Sequence, residues 1–218
     1  PLCSIRQSFP PLPPQVYETM FHAKFSFALL LGLASVLTLQ QVQLVSANDW
    51  PSWRGPHRSG IAVDETGLQS EWADDGPELK WQIDGVGRGY SSIAISDGQI
   101  FTMGKRKAGC ELIALDLNGG RELWSTPVVG GNPNCTPTVD GGLVYALGRD
   151  GHLVAADVTT GKIAWQKDFP KDFGGNMMSG WGYSESPLID GDRLVCTPGA
   201  KDAVIVALNK KTGETIWK

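Results

Sequence analysis

The sequence predicts an all-β chain, a partial β-propeller of about three four-stranded antiparallel blades plus a lone closing strand. Three observations predict it. LIALDLNGGRELW (Leu112 to Trp124), LVAADVTTGKIAW (Leu153 to Trp165) and IVALNKKTGETIW (Ile205 to Trp217) align without a gap over thirteen residues. Upstream of each lies an Asp-Gly turn, at Asp97-Gly98, Asp140-Gly141 and Asp190-Gly191, and 27, 25 and 27 residues separate that Asp from the closing Trp. Finally, 27 Gly, 14 Pro and 8 Trp suit many short strands joined by tight turns rather than long helices.

The chain opens with a presequence, residues 1–47. Its start is placed at Met20, followed by Lys24, the apolar run Phe25 to Leu39 and the small-residue ending Val45-Ser46-Ala47. A charged start, a short apolar core and a V-x-A end read as a Sec signal peptide cut after Ala47. The apolar run falls short of the roughly 20 residues a spanning helix needs. The mature chain is therefore expected to be exported to the periplasm or cell envelope, with no membrane span. Residues 48–77 form an N-terminal arm, which opens on Trp50-Pro51-Ser52-Trp53-Arg54-Gly55-Pro56.

Residues 78–218 hold the repeats. Glu78-Leu79-Lys80-Trp81 resembles the last strand of a repeat, with Trp81 lying 43 residues before Trp124. In each full unit an alternating strand meets a turn where Asp116, Asp157 or Asn209 can cap backbone N–H groups. A glycine then supplies the positive φ, and a second strand ends on the tryptophan. Each repeat is thus two hairpins, or one blade.

The A-x-D-x-x-T-G-x-x-x-W pattern, clearest from Ala155 to Trp165, resembles the PQQ-like (quinoprotein-type) β-propeller repeat. The resemblance covers residues 88–218 and implies that the Trp and Gly dock neighbouring blades. It also implies rings of about seven or eight blades, so this chain reads as a C-terminally truncated member. Two functions follow from it. One is an exported binding or scaffold module that presents its top face to a protein partner or small-molecule ligand. The alternative is a PQQ- and calcium-dependent quinoprotein alcohol or sugar dehydrogenase.

Little else suggests chemistry. The net charge of −4 gives no basic face for nucleic acid. Lys105-Arg106-Lys107 reads as a solvated hairpin tip. Gly85 to Gly89 leads into a strand, so the helix N-terminus of a dinucleotide loop is missing. After the presequence only His57 and His152 remain, too few for a His-based metal site or a hydrolase triad. Cys110, Cys135 and Cys196 match no metal or haem spacing and read as buried thiols, though a disulfide pair stays open. The resemblance also implies a disulfide of adjacent cysteines beside the quinone, which this chain lacks.

One stretch departs from the pattern. The connections from Trp81 to Asp97 and from Trp124 to Asp140 both span 16 residues, whereas that from Trp165 to Asp190 spans 25 and contains GGNMMSGWGYSES. Long loops on rigid scaffolds carry function, and Met177, Met178 and Trp181 would form an apolar lid. Counting back from the turns aligns Tyr90-Ser91-Ser92, Pro133-Asn134-Cys135 and Tyr183-Ser184-Glu185, positions expected to open onto the central channel. Glu185 is the one carboxylate among them. Trp181, Tyr183 and Glu185 are therefore the candidate cofactor-binding residues, and Glu185 is the candidate metal ligand.

Three blades without a closed ring leave blade faces and edge strands unpaired. Residues 48–218 produced alone should therefore self-associate or precipitate in light scattering. A monodisperse monomer with one cooperative melt would contradict this.

Overall fold

The computed structural model describes residues 48–63 and 65–218, all within the compact unit Leu44–Lys218. The presequence, with its signal peptide, Met20 start and Ala47 cut, lies outside the described residues. Three four-stranded antiparallel meanders follow one another. The first is β1 (Ala94–Ser96), β2 (Gln99–Arg106), β3 (Gly109–Asp116) and β4 (Glu122–Pro127). The second is β5 (Thr138–Asp140), β6 (Leu143–Leu147), β7 (His152–Asp157) and β8 (Ile163–Asp168). After a five-residue helix α1 (Phe169–Phe173) come β9 (Leu188–Asp190), β10 (Arg193–Cys196), β11 (Val206–Asn209) and β12 (Thr215–Trp217). The short strands β1, β5 and β9 lie side by side, so the blades radiate from a shared inner rim.

Strand periodicity explains the packing. In β7, Leu153 and Ala155 enter the core shared with Leu194, Val206 and Leu208 of the third blade. Val154 and Ala156 point the other way, to Phe101, Met103 and Leu112 of the first blade. Successive side chains of a strand face opposite sides. A blade buried on both sides therefore reads as a continuous apolar run rather than an alternating one.

The repeated Trp and Gly form one repeated contact. A Cβ built on Gly120 would come within 2.8 Å of the Trp81 ring, one on Gly161 within 2.5 Å of Trp124, and one on Gly213 within 2.7 Å of Trp165. Each of these glycines has a φ near +70°. Each indole N–H donates to the carbonyl one residue past the cap: Trp81 to Leu117 (3.1 Å), Trp124 to Val158 (3.0 Å) and Trp165 to Lys210 (2.9 Å). Trp81 itself lies in irregular backbone, yet it occupies the docking place that a preceding blade would fill.

The arm threads the inner rim. Trp50 and Ile95 exchange backbone hydrogen bonds at 2.9 Å, and Val139 N–H donates to the Pro51 carbonyl at 2.7 Å. The Arg58 guanidinium donates to the carbonyls of Pro187 (3.1 Å) and Ser186 (3.2 Å). One short segment thus meets the inner strands of the first two blades and the residues just before that of the third. Of the two tryptophans that open it, Trp50 packs over Gly55, while Trp53 stays exposed between Arg54 and Arg58, whose guanidinium carbons lie 5.4 and 5.7 Å from the ring centre.

One sequence reading changes, and the one for the cysteines narrows to its first alternative. Arg106 is not a solvated hairpin tip: it pairs with Glu111 (3.2 Å) and Glu122 (2.7 Å) and donates to the Gly85 carbonyl. The three cysteines are free thiols buried in the packed interior, and desolvation pushes Cys110 and Cys196 up to about 12. Among the described residues no helix is long and apolar enough to cross a membrane.

Trp165→Ala is expected to lower the unfolding free energy by about 3–5 kcal/mol, the cost of a large aromatic cavity. Gly161→Val should cost at least about 1–3 kcal/mol from backbone strain alone. Urea titration of both variants measures these losses.

Candidate functional site

The face of interest lies where the inner strands begin. Here the long connection after β8 folds back on the second blade. The Asp168 side chain accepts the Lys171 N–H and caps α1, and Gly174 ends the helix with a φ of 71°. Phe169 is fully buried and meets Tyr183 edge-on at 5.3 Å.

Beyond the helix, polar contacts hold the loop. Asn134 Nδ2 donates to the Trp181 carbonyl at 2.8 Å, and Arg149 Nε donates to the same oxygen at 3.0 Å. The other end of the guanidinium donates to the Gly180 carbonyl, and Tyr183 N–H returns a bond to Arg149 O at 2.9 Å. Gly182, at φ +75°, leaves no room for a side chain, because a Cβ there would sit 2.5 Å from the Arg149 carbonyl. At the neighbouring connection, Tyr90 N–H donates to Pro133 O at 2.7 Å.

The fixed backbone presents Trp181 to solvent. Trp181 is 63% exposed and Tyr90 is 68% exposed, and their rings meet edge-to-face at 5.7 Å. Met178, on the same loop, is 97% exposed, whereas Met177 turns inward against the core. The expected three-residue lid is thus two outward side chains and one anchor.

The three predicted site residues do not converge. Trp181 stands outward. Tyr183 is buried, with its hydroxyl donating to the Pro198 carbonyl at 2.9 Å, so it supports the loop from inside. Glu185 is half-buried and its Oε1 accepts the Thr197 hydroxyl. Burial pushes its carboxyl above the ordinary range, while the backbone N–H groups of Glu185, Ser184 and Thr197 pull it down. Burial raises the nearby Cys135 and Cys196 thiols, and the Glu185 charge adds to that rise.

The expectation that all three aligned triplets open onto the channel fails. Cys135 is fully buried, its thiol against the Tyr183 carbonyl, and Pro133 is buried too. Extended backbone alternates its side chains, and the arm covers part of the rim. Among the described residues no group of three or more His, Cys, Asp or Glu comes together, so Glu185 lacks the companion carboxylates of a calcium site. Sequence reasoning missed Arg149, which lies 32 residues from Trp181 and belongs to no motif. Tyr90 stood in the sequence alignment opposite Tyr183 but was not among the candidate residues.

A family profile described as outer membrane protein assembly factor BamB matches residues 108–218, just over half of the chain. The chain belongs to this family. The matched residues run from the second hairpin of the first blade through the third blade. The factor of that name from Kangiella koreensis is 28% identical over 142 residues, covering 60% of this chain and 32% of its own length. The dehydrogenase subunit of a quinone alcohol dehydrogenase from Komagataeibacter europaeus is also 28% identical, over 48% of this chain and 16% of its own. The chain thus spans a third or less of these relatives. Among solved structures, the quinohemoprotein alcohol dehydrogenase of Comamonas testosteroni superposes with a TM-score of 0.58 at 18% identity, over 79% of this chain and 27% of that one. That likeness concerns the fold alone.

The Glu185 carboxyl yields a pH test. Folded chain holds its proton more tightly than unfolded chain, so Glu185 makes stability fall as pH rises from about 4.3 through the folded value. Glu185→Gln should remove that slope, and the variant's advantage in urea unfolding should grow across this window. A pH-independent difference would contradict it.

Proposed function

We propose that this chain is part of an exported binding or scaffold propeller that holds a protein partner on the face bearing Tyr90, Met178 and Trp181. The observation that carries the reading is the Trp181–Tyr90 pair. Its backbone is clamped by Asn134 and Arg149, yet its rings remain in water. A rigid, exposed aromatic loses little conformational entropy on binding and gains a large apolar contact, which is why Trp and Tyr anchor protein interfaces. Family membership and the printed role of the Kangiella relative, an assembly factor, support a partner-holding task. The presequence supports export, with work in the periplasm or cell envelope.

A second reading is an alcohol or sugar dehydrogenase using PQQ and calcium. The Komagataeibacter relative and the half-buried Glu185 favour it. The residues present do not fit the metal, because Glu185 supplies one carboxylate, already hydrogen-bonded by Thr197.

A photo-crosslinker placed at Met178 in the exporting cell should trap a defined protein that mass spectrometry identifies. Trp181→Ala should weaken the purified pair by about 2 kcal/mol or more, roughly thirtyfold. Unaltered affinity would overturn the assignment of this face. Quinone absorbance on adding PQQ and Ca²⁺, diminished by Glu185→Gln, would instead favour the dehydrogenase.

A further inference from the structure

The three docking turns differ in how many N–H groups the cap holds. In the second blade, Asp157 Oδ1 accepts the Thr159 N–H (3.1 Å) and the Thr160 N–H (2.8 Å). In the third, Asn209 Oδ1 accepts the N–H groups of Lys211 (2.9 Å) and Thr212 (3.2 Å). In the first, Asp116 Oδ1 accepts the Asn118 N–H alone, at 2.8 Å. The corresponding second group, Gly119 N–H, donates to no atom among the described residues. Both Asn118 and Gly119 are exposed, and nothing lies within 4 Å of a Cβ built on Gly119.

We propose that Asn118-Gly119 is a site of spontaneous covalent modification, in which Asn118 is converted to isoaspartate and aspartate. The Gly119 backbone nitrogen loses its proton to water and attacks the Asn118 side-chain carbonyl carbon. A new C–N bond closes a five-membered imide, and the bond to Nδ2 breaks, releasing ammonia. Water then adds to either imide carbonyl and opens the ring, leaving a carboxylate and either a normal or a lengthened backbone. No oxidant or reductant is needed. Two features of the turn favour attack: the nucleophilic nitrogen is not held by the cap, and glycine offers no side chain to obstruct it. The sister turns carry Thr159 and Lys211 in place of Asn118, with no amide to attack, and there the following N–H groups, of Thr160 and Thr212, are held. Conversion has a structural reach. The Leu117 carbonyl accepts the Trp81 indole and Gly120 packs beneath that ring, so an added backbone atom between them loosens the first dock.

The full chain is incubated folded at mildly alkaline pH, digested with trypsin, and analysed by mass spectrometry with an isoaspartate-specific methyltransferase assay. The fragment Ala108–Arg121 has Asn118 as its only amide side chain. It should gain the mass of one deamidation and accept methyl groups, while fragments with Asn132, Asn134, Asn176 and Asn209 stay unchanged. Gly119→Thr, which installs the sister residue, should slow the conversion several-fold. Hydrogen exchange should quicken across residues 81–88 in the converted chain. An intact Asn118 in the folded chain, or Gly119→Thr reacting at the original rate, overturns the proposal.

Discussion

Everything in this structure depends on a tryptophan ring lying flat against a glycine of the next blade. The contact is apolar over most of its area, yet its single polar atom is not left unmet. The indole N–H reaches the carbonyl immediately after the residue that caps the turn. Turn and dock are therefore one device. The Asp or Asn shapes the turn, the turn aims the carbonyl, and the positive-φ glycine clears the floor. A bulge recurs in each blade at the same register, between Ala114 and Leu115, Ala155 and Ala156, and Ala207 and Leu208, where the outer strand swings towards its neighbour. The boundary between the second and third blades is reinforced further. There the Lys210 carbonyl accepts both Trp165 and the Tyr145 hydroxyl (3.1 Å), while its ammonium pairs with Asp140 at 2.6 Å.

That economy is why so much of the fold was legible. Strand, cap, glycine and tryptophan recur at fixed spacing because each must meet a copy of itself. A thirteen-residue motif thus predicts both the sheet and its neighbour. What escaped the reading is what happens once. Helix α1 carried local signals, Asp168 as cap and Pro170 at its start, but it is too short to show a period. The inward turn of Tyr183 depends on Phe169 and Pro198, and the burial of Cys135 depends on the third blade. Neither can be read from spacing. Of the candidate site, the loop and Trp181 were found by an interrupted repeat, while Arg149 had no signal.

The clamped loop also frames the functional alternatives in physical terms. A partner-binding face needs apolar surface that stays in water and stays in place, which Trp181 and Tyr90 combine. A cofactor site needs converging polar groups in a shielded cleft. Glu185 is the nearest approach to that, a carboxylate whose burial already strains its ionised form. Its hydrogen bond from Thr197 offsets part of that cost and joins the start of the third blade to the end of β10.

The arm has a consequence in time. Trp50 meets Ile95, Pro51 meets Val139 and Arg58 meets Pro187, the last across 129 residues of sequence. Each of these contacts closes a long loop of chain, and such loops are slow to close. A ribosome makes the arm before any blade, yet it can settle only on a rim that three finished blades provide. The arm, first of these segments to emerge, must wait longest for its place, and during that wait the edges of β1, β5 and β9 stay open to other chains.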